Sequence, residues 1–301
     1  MKKLLSALCL ALMLAGTYGY QQFSPILLGA SGYSAKNICS GHFLSGFSGD
    51  QIVEQALIGA SPLLANISFQ IDENKKYVDA SVLGLFNRRA ILVDGIGCVL
   101  VSAGEEETQH RVLVKDAEPL DKNTLWPKGR AKSETAEKYS ELLDDAFAES
   151  SESAPRETKA VVVVHHGQIV AERYAEGVTE HTPLIGWSMT KSISSLLIGI
   201  LVKDGMLNMH QPAPVAEWQL DESDPRRAIT LDQLLRMSSS LEFNETYDAL
   251  SDVSEMLSNQ SDAGRFAASK PLIAEPGEVW SYSSGTTNIL SSIIRQTLDG
   301  G

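Results

Sequence analysis

Cysteine is scarce in this sequence, with three residues in a chain of 301. None stands in a C-x-x-C pair, so the sequence gives no support to a zinc site built on thiolates. Cys9 lies within the first twenty residues, which leaves Cys39 and Cys98 for the rest of the chain. In an oxidising compartment these two residues are expected to form a disulfide, and two buried free thiols are the alternative.

Positive charge is also in short supply. The chain has 25 Lys and Arg against 38 Asp and Glu, which gives a formal net charge of -13. Because an acidic chain repels phosphate backbones, this balance argues against nucleic acid as a partner. Hydrophobic residues make up 43% and charged residues 21% of the chain, a composition typical of a folded protein with a real core.

The apolar run near the N-terminus, residues 4–14, falls short of the ~20 residues that a bilayer-spanning helix needs. It is interrupted by Ser6, follows two lysines and precedes several small residues. This layout is typical of a secretory signal, so residues 1–20 are predicted to be a signal peptide, with a short uncleaved membrane anchor as the alternative. We therefore expect an exported protein, periplasmic or extracellular.

Two regions are expected after the signal segment. Residues 21–130 are predicted to form an N-terminal extension and connector, and residues 131–301 a second domain. Helical spacing occurs in the extension at residues 51–57, and polar stretches at 105–107 and 116–130 are typical of a connector. Short apolar runs predict strands at residues 77–85, 90–94 and 98–102.

The second region combines one hairpin with several helices. Residues 159–175 have the pattern of two β-branched strands around a His-His-Gly turn. Adjacent residues of a strand face opposite sides, so His165 and His166 are interpreted as turn residues rather than as a metal-binding pair. Apolar spacing and capping signals predict helices at residues 136–148, 188–203, 230–237 and 285–298.

A Ser-x-x-Lys sequence, which occurs once, opens the most apolar of these helices with Ser188 and Lys191. Residues three apart on a helix share a face, with Cβ atoms about 5–6 Å apart, so Lys191 can reach the Ser188 hydroxyl. A serine hydroxyl becomes a good nucleophile when a neighbouring base takes its proton. The two residues are therefore candidates for a nucleophile and its base. The alternative is that Ser188 caps the helix and Lys191 is a surface cation.

A second polar element lies at residues 280–285, after a Pro-Gly turn and before the last helix. Its Tyr282 is a candidate proton relay, because a phenol beside a nucleophile can take and return protons. The alternative is a packed aromatic side chain whose hydroxyl has an ordinary hydrogen-bond partner.

The order Ser188-x-x-Lys191 followed by Tyr282-x-Ser284 resembles the serine β-lactamase and penicillin-binding superfamily, and within it the class C-like esterase branch. Residues 234–243 and 282–288 look like the same stretches of 6-aminohexanoate-oligomer hydrolase relatives. The resemblance extends from about Lys159 to the end of the chain. The segment from residue 35 onward also looks like an N-terminal extension of exported members.

The resemblance implies an α+β fold, in which helices flank an antiparallel sheet and a helical subdomain lies between the two motifs. It also implies acyl transfer to water, with Ser188 forming an acyl-enzyme while Lys191 and Tyr282 pass protons. Ser284 stands where the family usually has asparagine, and it is expected to bind substrate. The implied substrate is a small amide or ester, and neither a cofactor nor a metal is expected.

One motif of the family has no counterpart in this sequence. The family places a Lys-Thr-Gly or His-x-Gly motif on a strand well after the tyrosine, and no such motif follows Tyr282. We therefore expect that the chain is incomplete at its C-terminus. Two further hypotheses follow from this departure and from Ser284. One is a non-catalytic or sensor-type protein that binds β-lactams or peptides, and the other is an envelope protein that uses the fold only structurally.

Overall fold

The structure is a computed structural model that describes residues 2–101, 120–131, 136–149, 151 and 155–299. The polar stretch predicted as a connector at residues 105–107, and the first residues of the stretch at 116–130, lie outside the described residues. The described residues form two regions, an N-terminal helix on a sheet and a mainly helical region that follows.

The helices and strands have the following bounds. The α-helices are α1 (Lys2–Phe43), α2 (Gly49–Ile52), α3 (Ser140–Phe147), α4 (Thr190–Lys203), α5 (Leu231–Leu235), α6 (Asp252–Ser258), α7 (Ala263–Ala268) and α8 (Ser284–Asp299). The strands are β1 (Ile67–Asp72), β2 (Tyr77–Val82), β3 (Leu85–Val93), β4 (Gly97–Leu100), β5 (Ala160–His165) and β6 (Gln168–Tyr174). Short 3₁₀ turns include Pro62–Asn66, Trp187–Met189, Ala216–Gln219 and Pro225–Ala228, and a π-helical turn covers Val53–Leu57.

The N-terminal region is an antiparallel sheet, in the order β1-β2-β3-β4, covered by α1. Strand β2 alternates buried and half-buried residues, as a strand with one covered face should. Ile38 of α1 packs in one core with Val78 and Ala90 of the sheet. Cys39 of α1 and Cys98 of β4 form a disulfide, which ties the helix to the edge strand.

Helix α1 differs from the sequence-based expectation, which took residues 1–20 as a signal and predicted no helix in residues 21–43. The structure has one helix through to Phe43, with Pro25 inside it. Small residues on the buried side let its backbone approach the sheet, and the Ser31 hydroxyl accepts a hydrogen bond from the Val82 amide at 3.1 Å. This packing, rather than local propensity, stabilises the helix. Among the described residues, no helix has the length and apolar character to cross a membrane.

The second region begins with the hairpin of β5 and β6, which pair antiparallel as expected. Between residues 204 and 283 the regular elements are short helices, as the sequence predicted, and they are joined by turns, irregular chain and isolated bridges. Thr230 and Gln233 form the predicted capping box of α5, each side chain bonding the other's backbone. A common core joins these helices through Ile198, Trp218, Leu234, Met256, Ile289 and other buried residues. The fold is α+β, which confirms the predicted class.

Helix α4 is buried on one side only. Ser194, Ile198 and Leu201 are buried against the helical core, where α8 is the main neighbour. The opposite face carries apolar side chains that are exposed in the described structure: Ile193, Leu196, Leu197 and Ile200. Ser188 therefore precedes a helix whose position is determined by its packing against α8.

The two regions meet along α1 and α6. Asn259 accepts a hydrogen bond from Arg88 of the sheet at 3.4 Å and donates one to the Pro25 carbonyl of α1 at 3.3 Å. The Ser45 hydroxyl donates to the Pro183 carbonyl at 2.6 Å, just before the turn that carries Ser188. The N-terminal region thus lies directly beside the segment that carries the candidate nucleophile.

Removing the disulfide should destabilise the N-terminal region. A bridge between residues 59 apart in sequence constrains the unfolded chain, so replacing Cys39 and Cys98 with Ala should lower the free energy of unfolding by about 2–5 kcal/mol. Urea unfolding of the oxidised protein and of the double variant measures the difference, and a non-reducing peptide map checks the linkage. A reductant should destabilise the wild type and leave the variant unchanged. Free thiols in the map would contradict the pairing.

Candidate active site

Ser188 lies in the 3₁₀ turn Trp187–Met189 that leads into α4. Trp187 has φ of +43°, in the left-handed region that a tryptophan rarely adopts. Ser188 is exposed, and the residue that caps α4 is Met189, which makes no side-chain capping bond. The alternative role of Ser188 as a helix cap is therefore not what the structure shows, and its hydroxyl is available to other groups.

Lys191 connects the two motifs that the sequence analysis singled out. Its Nζ donates to the Ser188 Oγ at 3.1 Å and to the Ser284 Oγ at 3.1 Å. The same ammonium lies 4.8 Å from the centre of the Tyr282 ring. The structure thus brings together the four residues predicted for the site, three of them within direct reach of one lysine.

Backbone hydrogen bonds to the segment that follows α5 position the turn that carries Tyr282 and Ser284. The Ser281 amide donates to the Met237 carbonyl at 2.9 Å, and the Gly277 amide donates to the Ser238 carbonyl at 2.8 Å. Gly285, the second residue of α8, packs so closely on Phe243 that an added Cβ would lie 2.6 Å from its ring. The turn before α8 is therefore held against the segment that follows α5.

Tyr282 lies in an electrostatic environment that favours its ionised form. Hydrogen bonding from the Ser188 hydroxyl, and then from Lys191 together with its positive charge, lowers the pKa of the phenol below the usual 10.0. Desolvation and the Glu245 carboxylate act in the opposite direction and are outweighed. A phenol of lowered pKa gives up its proton more readily, which suits a proton-relay role.

Glu245 is a member of this site that the sequence analysis missed. Its carboxylate accepts one hydrogen bond from the Ser284 amide at 2.8 Å and another from the Ser284 hydroxyl at 2.5 Å. Tyr247 donates its hydroxyl to the same carboxylate at 3.0 Å. Ser284 therefore lies between a cation and an anion, receiving a hydrogen bond from Lys191 and giving one to Glu245. The segment before Glu245, residues 234–243, carried the only sequence signal near it.

A cavity of about 760 Å³ opens beside the nucleophile, between α1 and the helical region. Ser188, Trp187 and Tyr33 of α1 are among the residues that line it. The Tyr33 and Trp187 rings stack with centroids 6.1 Å apart and an interplanar angle of 19°. From its sequence the extension is expected to form a region separate from the site, whereas residues of α1 line the cavity beside Ser188.

The remaining residues singled out in the sequence lie away from this site. Cys39 and Cys98 are in the N-terminal region as the disulfide pair. His165 and His166 lie at the tip of the β5–β6 hairpin, and their rings contact each other. Within the described ranges, no group of three or more His, Cys, Asp or Glu is arranged to hold a metal ion.

Comparison with known families agrees with the geometry. A sequence model of the family described as Beta-lactamase matches residues 143–300, rather more than half of the chain. The chain belongs to the beta-lactamase family, within the serine β-lactamase and penicillin-binding superfamily, which confirms the resemblance drawn from its motifs. The matched region contains Ser188, Lys191, Tyr282 and Ser284.

Solved structures also match, and one of them is described as "Putative 6-aminohexanoate-dimer hydrolase from Bacillus anthracis". It is 28% identical with a TM-score of 0.41, over 53% of this chain and 42% of that chain. The present chain thus spans less than half the length of that protein. A search of curated proteins gives no match.

The pKa of Tyr282 should depend on Lys191. Replacing Lys191 with Met removes a hydrogen bond and a positive charge, both of which favour the phenolate, so the pKa should rise toward 10.0. At any fixed pH below that value, less of the phenol is then ionised. Tyrosinate absorbance against pH, taken as the difference from a Tyr282→Phe partner of each protein, measures the midpoint. Lys203→Met, at the far end of α4, is the matched control, and an unchanged midpoint in Lys191→Met would contradict the coupling.

Proposed function

We propose that the protein is a serine hydrolase that cleaves a small amide or ester through an acyl-enzyme on Ser188. One observation carries the proposal, namely that the Lys191 amine lies 3.1 Å from the Ser188 hydroxyl while Tyr282 lies beside both. A nucleophile within hydrogen-bond reach of a base, with a third group in contact with that base, is the arrangement that nucleophilic catalysis requires. Membership of the beta-lactamase family supports the same reaction class.

In acylation, Lys191 acts as general base in its uncharged form. The Ser188 proton passes to Nζ while Oγ forms a bond to the substrate carbonyl carbon, giving a tetrahedral intermediate. When this intermediate collapses, the bond to the leaving nitrogen or oxygen breaks. Tyr282 gives its proton to that atom and takes a proton from Lys191, so both groups return to their starting state. The lowered pKa of Tyr282 supports this role because it eases donation.

Deacylation uses the same groups with water as the nucleophile. Water gives its proton to Tyr282 as Tyr282 passes its own to Lys191, and the water oxygen bonds to the acyl carbon. The ester bond to Ser188 then breaks, and Oγ recovers its proton from Lys191. The product acid leaves, and the site is ready for another substrate.

Ser284 and Glu245 act as positioning residues for Lys191 in this scheme. The Ser284 hydroxyl accepts the second Lys191 hydrogen bond. The Glu245 carboxylate orients that hydroxyl by accepting hydrogen bonds from it and from the Ser284 backbone amide. An amine that is held at two points keeps its third direction for Tyr282. Ser284 can also hydrogen-bond a bound substrate, the role expected of it from the sequence.

A sensor that acylates and then retains its ligand is the second candidate. Ser284 favours it, because a single hydroxyl offers fewer hydrogen bonds than the asparagine usual at this position. The two candidates share the first step and differ in the second, so the rate of acyl release separates them.

We also propose that the protein acts outside the cytoplasm on a small molecule. Residues 1–20 support this by their signal-like sequence, and the disulfide between Cys39 and Cys98 supports it because such bonds persist in oxidising compartments.

Covalent labelling tests the nucleophile. A fluorophosphonate probe should add once, on Ser188, and intact mass with peptide mapping reads the adduct. Ser188→Ala and Lys191→Met should abolish labelling, since one lacks the oxygen and the other the base, while Ser192→Ala on the same helix should label normally. Labelling that survives in Lys191→Met would remove Lys191 as the base, and the absence of an adduct on the wild type would reject the enzyme.

Turnover tests the proton relay. Tyr282→Phe removes the phenol oxygen and should slow hydrolysis of an activated ester by roughly 10²–10⁴-fold, the loss typical of a proton-transfer group. Steady-state release of p-nitrophenol measures it. Tyr174→Phe, which removes a hydroxyl bonded to Glu172 on the hairpin, should keep the wild-type rate. Wild-type turnover in Tyr282→Phe would remove the residue from the mechanism, and a burst without turnover in the wild type would favour the sensor.

A further inference from the structure

The cavity beside Ser188 has mainly apolar walls contributed by both regions of the protein. Side chains such as Ile26 of α1, Leu64 and Leu257 line it, and Ser188 lies at one part of its boundary. A group bonded to Ser188 during the reaction is the acyl part of the substrate, since the leaving group departs in the first step. The cavity is therefore placed to hold an acyl chain with apolar character.

Lys36 is the one lysine or arginine among the described residues that line this cavity. It is the exposed residue in a stretch of α1, residues 31–40, that is otherwise buried or half-buried. Lys36 has no hydrogen bond or ion pair with any described residue. Partial burial around the cavity lowers the pKa of its ammonium group. A cation that lies in a mostly apolar cavity and has no partner among the described residues is suited to bind an anion.

The lining contains one carboxylate in the described part of the chain, that of Asp248. Its oxygens are engaged within their own loop, where they accept the Thr246 hydroxyl and the Leu250 amide. No salt bridge joins Asp248 to Lys36. The Asp248 carboxylate is therefore held within its own loop and forms no ion pair with Lys36.

We propose that Lys36 binds a carboxylate at the far end of the acyl chain, so that the preferred substrates are amides or esters of dicarboxylic-acid type. In such a substrate an apolar chain joins the scissile carbonyl at Ser188 to a free carboxylate at Lys36. This inference rests on the proposed function for the position of the scissile bond. It assigns the N-terminal extension a part in substrate selection.

Matched esters test the proposal. Mono-p-nitrophenyl adipate ends in a carboxylate, and p-nitrophenyl hexanoate ends in a methyl group on a chain of the same length. The wild type should prefer the adipate in kcat/KM by roughly 10- to 100-fold, the factor expected for one hydrogen bond to a charged group. In Lys36→Met this preference should disappear, because kcat/KM falls for the adipate and stays unchanged for the hexanoate. In Lys36→Glu the hexanoate should become the preferred ester. Lys122→Met, on a segment outside the cavity, should behave as the wild type.

Two outcomes separate this inference from the proposed function. If both esters are hydrolysed and Lys36→Met leaves their ratio unchanged, the inference is overturned while the serine hydrolase stands. If neither ester is hydrolysed, calorimetry on Ser188→Ala with adipic acid monoamide and with adipamide decides it without any chemistry. Tighter binding of the monoamide that disappears in Ser188→Ala/Lys36→Met supports the anion site, and equal binding of the two ligands overturns it.

Discussion

The ammonium of Lys191 makes hydrogen bonds to two hydroxyls that belong to different parts of the chain, and the site depends on this connection. Ser188 is its neighbour in the 3₁₀ turn that leads into α4, whereas Ser284 is the first residue of the last helix, α8. The distance between them is set by how α4 packs on α8, through a core that includes Ile198 and Ile289. Small shifts in that packing would move the nucleophile relative to the relay, because interiors are densely packed and transmit displacement.

A neutral hydroxyl separates the positive and the negative group of the site. This arrangement explains how Lys191 can be held close to Ser188 although Glu245 lies nearby. Lys191 and Glu245 do not meet directly in the described structure, since the hydroxyl of Ser284 lies between them. A direct ion pair would draw the Lys191 amine toward the carboxylate and away from Ser188. A hydroxyl between the two transmits orientation while weakening the attraction, because it separates the charges by an additional hydrogen bond.

The sequence was most informative where chemistry is local. Ser188 and Lys191 are three residues apart on a helix, so their contact follows from helical geometry. Tyr282 and Ser284 could be placed beside them through the order of the motifs, and the α+β class followed from the same resemblance. Glu245 could not be found in this way, because it lies in irregular chain and meets Ser284 only through the tertiary fold. The long helix α1 was not predicted, because its sequence is rich in small residues. These residues favour the helix only through its close packing against the sheet.

The same contrast applies to the cavity. Nothing in the local sequence around Lys36 distinguishes it from a surface lysine, and the residues that surround it come from segments as distant as Trp187 and Asn259. Its surroundings follow from the docking of α1 on α6, which hydrogen bonds of Asn259 help to fix. Tertiary contacts between the extension and the hydrolase-family region thus create a cavity to which both regions contribute.

The close packing of Gly285 on Phe243 has a consequence for how this sequence can drift over evolutionary time. No side chain fits at position 285 while the phenylalanine ring stays where it is, because even a Cβ would overlap it. A larger residue at 285 can therefore be tolerated only together with a smaller one at 243, so the two positions should change as a pair among descendants of this gene. The residue at each of these two positions limits the size of the side chain at the other, although neither residue takes part in the chemistry.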